Sequence, residues 1–409
     1  MRVLFLMFVF PNMDKSFNMY TTISKQFALE GNQVTVVAPG QHGQATGIYI
    51  ENGVEVLRVK TLPIKNVSNW RKGISNLLLP YQYKRALKEF YRDSSFDLII
   101  LPTPPITLAD LAAKLKKRFS AKVYLILRDI FPQNAVDLGF MKHDSIIHKY
   151  FRSKERKLYR VADYIGCMSQ GNIDYVLMHN SELSATKFHI LRNFQYRYEE
   201  FGFDKIALRE KYGLQNKFVM LFGGNMGKAQ ELDNVLELAR RAMKYSDAII
   251  LLLGEGVMME RTAKRIEELG ITNIKIQGSI PKQEYQDLLS VCDVGIISLH
   301  RNFTIPNIPS KSLDYWNVGL PILASVDRAT DYNIILEHTN TGLWSYAGEH
   351  ENFFKNFEKL YKDSELRKYF AANGRKYQQN YLMPKQAYET IIGNITSSKY
   401  HKHGDKTLS

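Results

Sequence analysis

The sequence predicts an α/β protein made of two Rossmann-like, doubly wound domains, and three observations predict it. The chain has 409 residues with 45% hydrophobic content, enough for two or three domains that each bury a core. Short apolar runs alternate with helix-period stretches along its length, the pattern of strands feeding crossover helices. The second half then repeats one unit, a buried strand breaking into a Gly-rich turn. Lys217 to Gly227, KFVMLFGGNMG, leads into the periodic helix Leu232, Val235, Leu236, Ala239. Ala248 to Val257, AIILLLGEGV, breaks at Gly254 and Gly256, and Cys292 to Ser298 ends a third strand. Open α/β sheets bind ligands outside the carboxyl ends of their strands, where such loops gather.

In order, Met1 to Phe10, MRVLFLMFVF, has the apolar core of a signal peptide but one basic residue and no small-residue cleavage site, so it reads as the first strand. A helix follows from Phe17 to Leu29, closed by Gly31. Strands are expected at Gln33 to Ala38, Val54 to Val59, Leu98 to Leu101, Val123 to Leu127 and Tyr164 to Met168. The loop after the first strand, PNMDKSFNMY, contains no Gly, which argues against a dinucleotide-binding enzyme. The strand rhythm breaks between Arg192 and Tyr212, the expected hinge, dividing a domain over 1–195 from one over 213–380. A long helical stretch after Gly374, kinked at Pro384, gives a terminal helix over 381–399, and 400–409 reads as a disordered tail.

Charge is uneven. The net charge is +14, with 28 Lys and Arg against 17 Asp and Glu in residues 1–200 and 27 against 24 in 201–409. Arg58 to Arg92 holds nine basic residues and one acid. In its neighbourhood Ile64 to Leu79 is apolar without clear periodicity, so Trp70, Arg71, Lys72 and Leu78 are read as an anionic membrane and acceptor face, with Leu77 to Leu79 entering it. From Tyr81 to Arg92 the stripe Tyr83, Leu87, Phe90, Tyr91 reads instead as the buried side of an ordinary helix. No nucleic-acid motif accompanies the charge, so no nucleic-acid partner is expected. Two Cys exclude a disulfide framework; Cys167 and Cys292 read as packed thiols. No Asp-x-Asp, His-x-x-x-His or paired Cys marks a metal site, and no cofactor is expected. No apolar run reaches the roughly 20 residues that span a bilayer.

The stretch Ile305 to Pro321, IPNIPSKSLDYWNVGLP, concentrates the chemistry. Pro306 and Pro309 forbid helix before Ser310, whose hydroxyl is expected to cap about three turns ended by Gly319 and Pro321. Free amides at that start, with the charge of Lys311, suit a diphosphate. Asp314, one turn on, suits the hydroxyls of a ribose. The same residues also fit a surface helix with a Lys-Asp salt bridge, and the segment by itself does not separate the two readings.

Across nearly its whole length the chain resembles GT-B fold glycosyltransferases, and within them family 4 and its bacterial O-antigen and capsule branch. The segments that carry the likeness are FGGNMGKAQELDNVLELA, LLLGEG, IQGSIPKQEYQDLLSVCDVGIISL, PSKSLDYWNVGLPILAS and, in the first half, LRDIFPQNAVDLGF. The resemblance implies two domains facing a cleft, with a terminal helix crossing back to the first. It implies donor contacts at Gly223, Gly224, Asn225, Lys228, Gly254, Glu255, Ile280, Ser310, Lys311, Ser312 and Asp314, and catalytic roles for Arg128, Asp129, Lys311 and Asp314. Arg128 and Asp129 are assigned to the transferred sugar or acceptor; a strand-end ion pair is the competing reading.

The sequence also departs from the family. Asp314 keeps the spacing of the family's second Glu to Gly319 and Pro321 but is shorter, Pro306 stands where the first Glu would, and Asn225 and Gln230 replace the basic pair that faces the diphosphate. Lys228 and Lys311 are the cations that could compensate. The expected function is metal-independent, retaining transfer of a sugar from a nucleotide donor, UDP-linked, to a polyprenyl-diphosphate-linked saccharide at the cytoplasmic face of the cell membrane. A sugar-nucleotide 2-epimerase of the same fold and a catalytically silent partner in polysaccharide assembly are the alternatives.

Overall fold

The computed structural model describes residues 1–41, 43–63, 69–198 and 204–400. The chain forms two compact units, Met1–Tyr196 with Pro384–Ser409, and Arg197–Met383.

The first unit is an eight-stranded sheet. Its strands are β1 (Arg2–Leu6), β2 (Gln33–Pro39), β3 (Gly47–Glu51), β4 (Val54–Val59), β5 (Leu98–Pro102), β6 (Lys122–Leu127), β7 (Tyr164–Cys167) and β8 (Phe188–Ile190), in the order β3-β4-β2-β1-β5-β6-β7-β8. All pairings are parallel except β3 with β4, a short antiparallel edge that the strand pattern did not reveal. Val3, Leu4, Phe5 and Leu6 are fully buried because β1 is covered on both faces, which is why its sequence runs apolar without alternation. The first helix, Met19–Leu29, starts two residues later than expected. Asn18 fixes the start, accepting the Tyr20 and Thr21 amides at 2.9 Å each while its own amide donates to Thr21 Oγ1 at 2.8 Å.

Two expectations in this unit are corrected. The helix Asn69–Phe90 is continuous through Pro80, so the helical stripe expected only from Tyr81 onward extends back to Ser75. Ser75, Leu79, Tyr83, Ala86 and Leu87 form its buried stripe; Leu79 therefore points inward and Phe90 is only half-buried, while Ile74, Leu77, Leu78 and Tyr81 stand exposed. Residues 64–68 and the side chains of Trp70 and Lys72 lie outside the described residues. The stretch after Gly374 is two helices, Ser364–Tyr381 and Pro384–Tyr400, separated at Leu382 and Met383, with Pro384 at the first position of the second, where its fixed φ and missing N–H are tolerated. The second of them packs in the first unit, where Tyr388 meets Phe27 edge-on at 4.8 Å and Ile391 is fully buried.

The second unit is a six-stranded parallel sheet of β9 (Phe218–Gly223), β10 (Ala248–Leu253), β11 (Ile274–Gln277), β12 (Val294–Ser298), β13 (Ile322–Val326) and β14 (Gly342–Tyr346), in the order β11-β10-β9-β12-β13-β14. The chain proceeds outward from β9 on one side and from β12 on the other. The switch point therefore lies between β9 and β12, and the loops leaving these two strands flank it. Both units are α/β and doubly wound, as expected.

Candidate functional site

The second unit gathers most of the candidate residues at the carboxyl ends of β9, β10 and β12. The loop after β9 is built for close approach. Gly224 N–H donates to Leu253 O at 2.8 Å and Met258 N–H to Met226 O at 3.0 Å, so the two Gly-rich turns are stitched together. Gly254 adopts φ 142°, and a Cβ there would lie 1.9 Å from Gly224 O. Only glycine meets both demands. Met226 N–H also donates to Glu255 O at 2.8 Å, leaving the Gly224, Asn225, Lys228 and Glu255 side of the turns exposed.

The loop after β12 is tied to the same turn. His300 N–H donates to Ala229 O at 3.0 Å, and Glu231 accepts the Arg301 amide at 2.7 Å while pairing with its guanidinium. These bonds bring the short 3₁₀ turn Lys228–Gln230 beside the segment that carries Lys311. Ile280, half-buried, sits in the loop after β11.

The helix following that segment is shorter than expected. It spans Ser312–Val318, about two turns rather than three, and Gly319 ends it at φ 69°. Ser310 is exposed and makes no side-chain cap. The Ser312, Leu313 and Asp314 amides turn tightly onto the carbonyls of Pro309, Ser310 and Lys311 at 3.2, 3.1 and 3.1 Å, so the expected row of free amides shrinks to those of Ser310 and Lys311. Ser312 is buried with its hydroxyl 2.6 Å from Tyr332 OH, which makes it a packing residue whose side chain is already engaged.

Lys311 does not pair with Asp314. Its ammonium lies 3.8 Å from the centroid of the Phe222 ring and donates to Gln230 Oε1. The residue as a whole is half-buried, with its ammonium packed between the Phe222 ring and Gln230, and desolvation lowers its pKa to about 7. A Cβ added at Gly224 would lie 4.0 Å from Lys311 Cε, so this turn faces the end of the Lys311 side chain. Asp314, half-buried, accepts the Tyr198 phenol on Oδ1, and Asn317 Oδ1 accepts the Tyr198 amide at 2.8 Å. Two further tyrosines bracket the end of β9. Tyr315 OH takes the Gly223 amide at 3.2 Å and lies 3.1 Å from both Leu221 O and Ile296 O, while the Tyr285 hydroxyl packs over Gly223 where any Cβ would collide. Tyr198, Tyr285 and Tyr315 were not legible as site residues; Tyr198 reaches Asp314 across 116 positions.

In the first unit, Arg128 and Asp129 follow β6. Arg128 is buried and holds backbone: Nη1 donates to Leu191 O at 2.9 Å, Nη2 to Arg192 O at 3.3 Å, and its amide to Thr103 Oγ1 at 3.0 Å. Among the described residues no ion pair joins it to Asp129, which corrects that alternative. Asp129 carries no hydrogen bond among the described residues. Its side chain keeps a face open to solvent, yet the protein crowded around it pushes the carboxyl up to about 6, with the Arg128 charge opposing. Tyr20 of the first helix stands close enough to feel both charges, and burial pushes its phenol up to about 12. Cys167, fully buried, has its thiol pushed up to about 12 by desolvation, as suits a packed thiol. One grouping escaped the motif search: His143, Asp144 and His148 lie together, with His148 Nδ1 accepting the Asp144 amide at 3.2 Å.

Residues 204–377 match the family described as Glycosyl transferases group 1. That stretch is a glycosyltransferase group 1 domain, and the chain is a transferase enzyme with the two-sheet α/β fold of solved glycosyltransferases. The matched residues take in the β9 and β10 turns, the Lys228–Gln230 turn and the Lys311–Asp314 helix. Over 276 residues the glycosyltransferase is 26% identical to the "Probable glycosyltransferase WbjE" of Pseudomonas aeruginosa, covering 66% of this chain and 67% of that one. It is 28% identical over 138 residues, 33% of each chain, to the provisionally named colanic acid biosynthesis glycosyl transferase WcaI of Escherichia coli K12. Among solved structures it resembles WaaG, a glycosyltransferase involved in lipopolysaccharide biosynthesis, with TM-score 0.70 at 17% identity over 96% of this chain and 100% of that one. It also resembles Anabaena HepE in complex with UDP and glucose, with TM-score 0.69 at 16% identity over 97% and 100%.

Proposed function

We propose that this protein is a retaining, family 4 glycosyltransferase of the O-antigen and capsule branch. It moves a sugar from a UDP-linked donor to a polyprenyl-diphosphate-linked saccharide in cell-surface polysaccharide synthesis. The observation that carries the reading is Lys311: an enclosed cation over Phe222, beside the Gly224 turn and the exposed Ser310, with the Asp314 carboxylate one turn on. A diphosphate there meets one ammonium and unpaired amides, and a ribose meets an acceptor carboxylate. Gln230, in place of a basic residue, gives Lys311 a neutral partner, so its charge is not cancelled before the donor arrives.

On this reading Lys311 stabilises the charge that develops on the leaving diphosphate, work that needs no metal when a preorganised cation does it. Asp314 holds the nucleoside. For Asp129 of the first unit, raised toward neutral pH, we propose hydrogen bonding to sugar hydroxyls, and for Arg128 a positioning role through its bonds to the Leu191 and Arg192 carbonyls. Relatives named for colanic acid and lipopolysaccharide biosynthesis support the polysaccharide assignment. The lipid-diphosphate acceptor is supported by a 31% identical stretch of 77 residues shared with a chitobiosyldiphosphodolichol beta-mannosyltransferase of Candida glabrata.

The first unit is proposed to dock on the inner face of the membrane. Among the described residues no helix is long and apolar enough to cross a bilayer. The helix Asn69–Phe90 exposes Ile74, Leu77, Leu78 and Tyr81 with Arg71, Lys84 and Lys88. The helix Ile146–Val161 exposes Ile146, Ile147 and Tyr150 with Lys149, and both pack on the turn Ile106–Leu108. Apolar tips ringed by cations suit an anionic lipid surface. The deciding experiment is turnover of UDP-sugars in excess chelator with a lipid-diphosphate saccharide acceptor. A transferred sugar with retained anomeric configuration, lost in Lys311→Ala, supports the reading. Production of free 2-epimerised sugar, or no turnover of any donor, sinks it.

A further inference from the structure

The geometry points to Tyr198 as an internal stand-in for the donor's ribose: its phenol occupies the Asp314 carboxylate and must leave when a nucleotide binds. The inference rests on the donor reading of Asp314. Tyr198 is held twice on one face of the helix Ser312–Val318, by the phenol O–H donating to Asp314 Oδ1 and by its amide donating to Asn317 Oδ1 at 2.8 Å. Positions 314 and 317 are three apart, so the two acceptors stand one above the other and clasp a single residue. A phenol and a ribose hydroxyl make the same offer to a carboxylate, a neutral O–H donor on a carbon frame. Asp314 therefore meets in its own chain the group it is proposed to read.

The surroundings strengthen the contact. Tyr285, packed over Gly223, lies close to Asp314, Tyr198 and Tyr315, so the Tyr198 phenol stands in the neighbourhood of the end of β9. Tyr198 also belongs to the opening residues of the second unit, which begins at Arg197.

The test is a four-protein comparison of UDP affinity by calorimetry: wild type, Tyr198→Phe, Asp314→Asn and the double variant. Tyr198→Phe keeps the ring and removes only the O–H. A hydrogen bond to a charged group is strong enough for its loss as a competitor to tighten UDP binding about tenfold. That gain should vanish when Asp314 is Asn, and in turnover it should appear as a lower donor KM with kcat unchanged. A merely structural tyrosine would give the opposite, weaker UDP binding together with a lower Tm. If Asp314→Asn weakens UDP while Tyr198→Phe leaves affinity unchanged or lower, the stand-in role is overturned and the donor reading survives. If UDP affinity responds to neither substitution, both fall.

Discussion

The Lys311 ammonium sits face-on to Phe222, 3.8 Å from the ring centroid, with Gln230 Oε1 as its hydrogen-bond partner. An enclosed cation without a counter-ion is costly, and desolvation lowers its pKa to about 7. On the proposed reading, this unneutralised charge is what the donor diphosphate meets.

Binding of that diphosphate favours the ammonium and so raises the Lys311 pKa. Between its ligand-free value of about 7 and the higher bound value, UDP binding must take up a proton. Calorimetry at pH 8 in buffers of differing ionisation enthalpy should show uptake approaching one proton, absent in Lys311→Met. The same depressed pKa fixes a stability effect. The unfolded lysine holds its proton up to about pH 10.4. The folded one releases it near 7, so the penalty for the enclosed charge is fully present below pH 7 and is relieved as pH rises toward 10. Lys311→Met should therefore raise Tm most at pH 6 and progressively less above pH 7.

Gly254→Ala tests the apposition of the two Gly-rich turns. The added Cβ would fall 1.9 Å from Gly224 O at a φ of 142°, so the turns must separate. Strain of this kind costs roughly 1–3 kcal/mol. A matching loss of stability in denaturant titration, with UDP binding weakened at least tenfold, is expected. Unchanged UDP affinity would show that the turn geometry does not matter to the ligand.

Arg58 and Glu51 form a buried pair at 2.6 Å, with side-chain exposures of 0% and 2%. Arg58 Nη1 also donates to Phe10 O at 2.7 Å and Nη2 to Pro11 O at 3.0 Å, while Glu51 Oε2 accepts the Met13 amide at 3.0 Å. The pair thus holds the loop leaving β1. Arg58→Met should destabilise the protein by about 3–5 kcal/mol, because it strands the buried Glu51 carboxylate without a counter-charge, whereas Arg58→Met with Glu51→Leu should lose less. Equal losses in the single and double variants would count against coupling.

Vesicle sedimentation tests the membrane face. Each Lys or Arg near an anionic bilayer contributes about 1 kcal/mol, screened within a Debye length. The protein should pellet with anionic vesicles, release at high salt and ignore neutral ones. Replacing Trp70, Arg71 and Lys72 together, or Ile146 and Ile147 by Glu, should each reduce pelleting at least fivefold with UDP affinity intact. Full pelleting of both variants would remove the first unit from the interface.

Much of the architecture was determined by the sequence alone, because strands buried on both faces must be apolar throughout and a positive-φ turn packed against neighbouring backbone admits only Gly. The runs at β1, β9, β10 and β12, and the breaks at Gly254 and Gly319, could be read for that reason. Local rules reached less far where packing overrides them. The helix through Pro80 survives because Leu79 and Tyr83 bury one stripe on both sides of the proline. The Ser310 cap fails because the chain tightens into turns on Pro309, Ser310 and Lys311 instead.

The partners of the charged candidates belong to the tertiary structure. Spacing put Lys311 and Asp314 on one face and made a pair of them. Folding sends Lys311 to Phe222 and Gln230, 89 and 81 positions away, and gives Asp314 to Tyr198. Likewise Arg128 and Asp129 are adjacent in sequence and unpaired in space, since the guanidinium is taken by the carbonyls of Leu191 and Arg192. Periodicity records which side of an element faces the core, a local property of the chain. Which cation stays unneutralised, and which carboxylate is already occupied, depends on contacts closed across a hundred residues, and only the folded sheet brings those atoms within bonding distance.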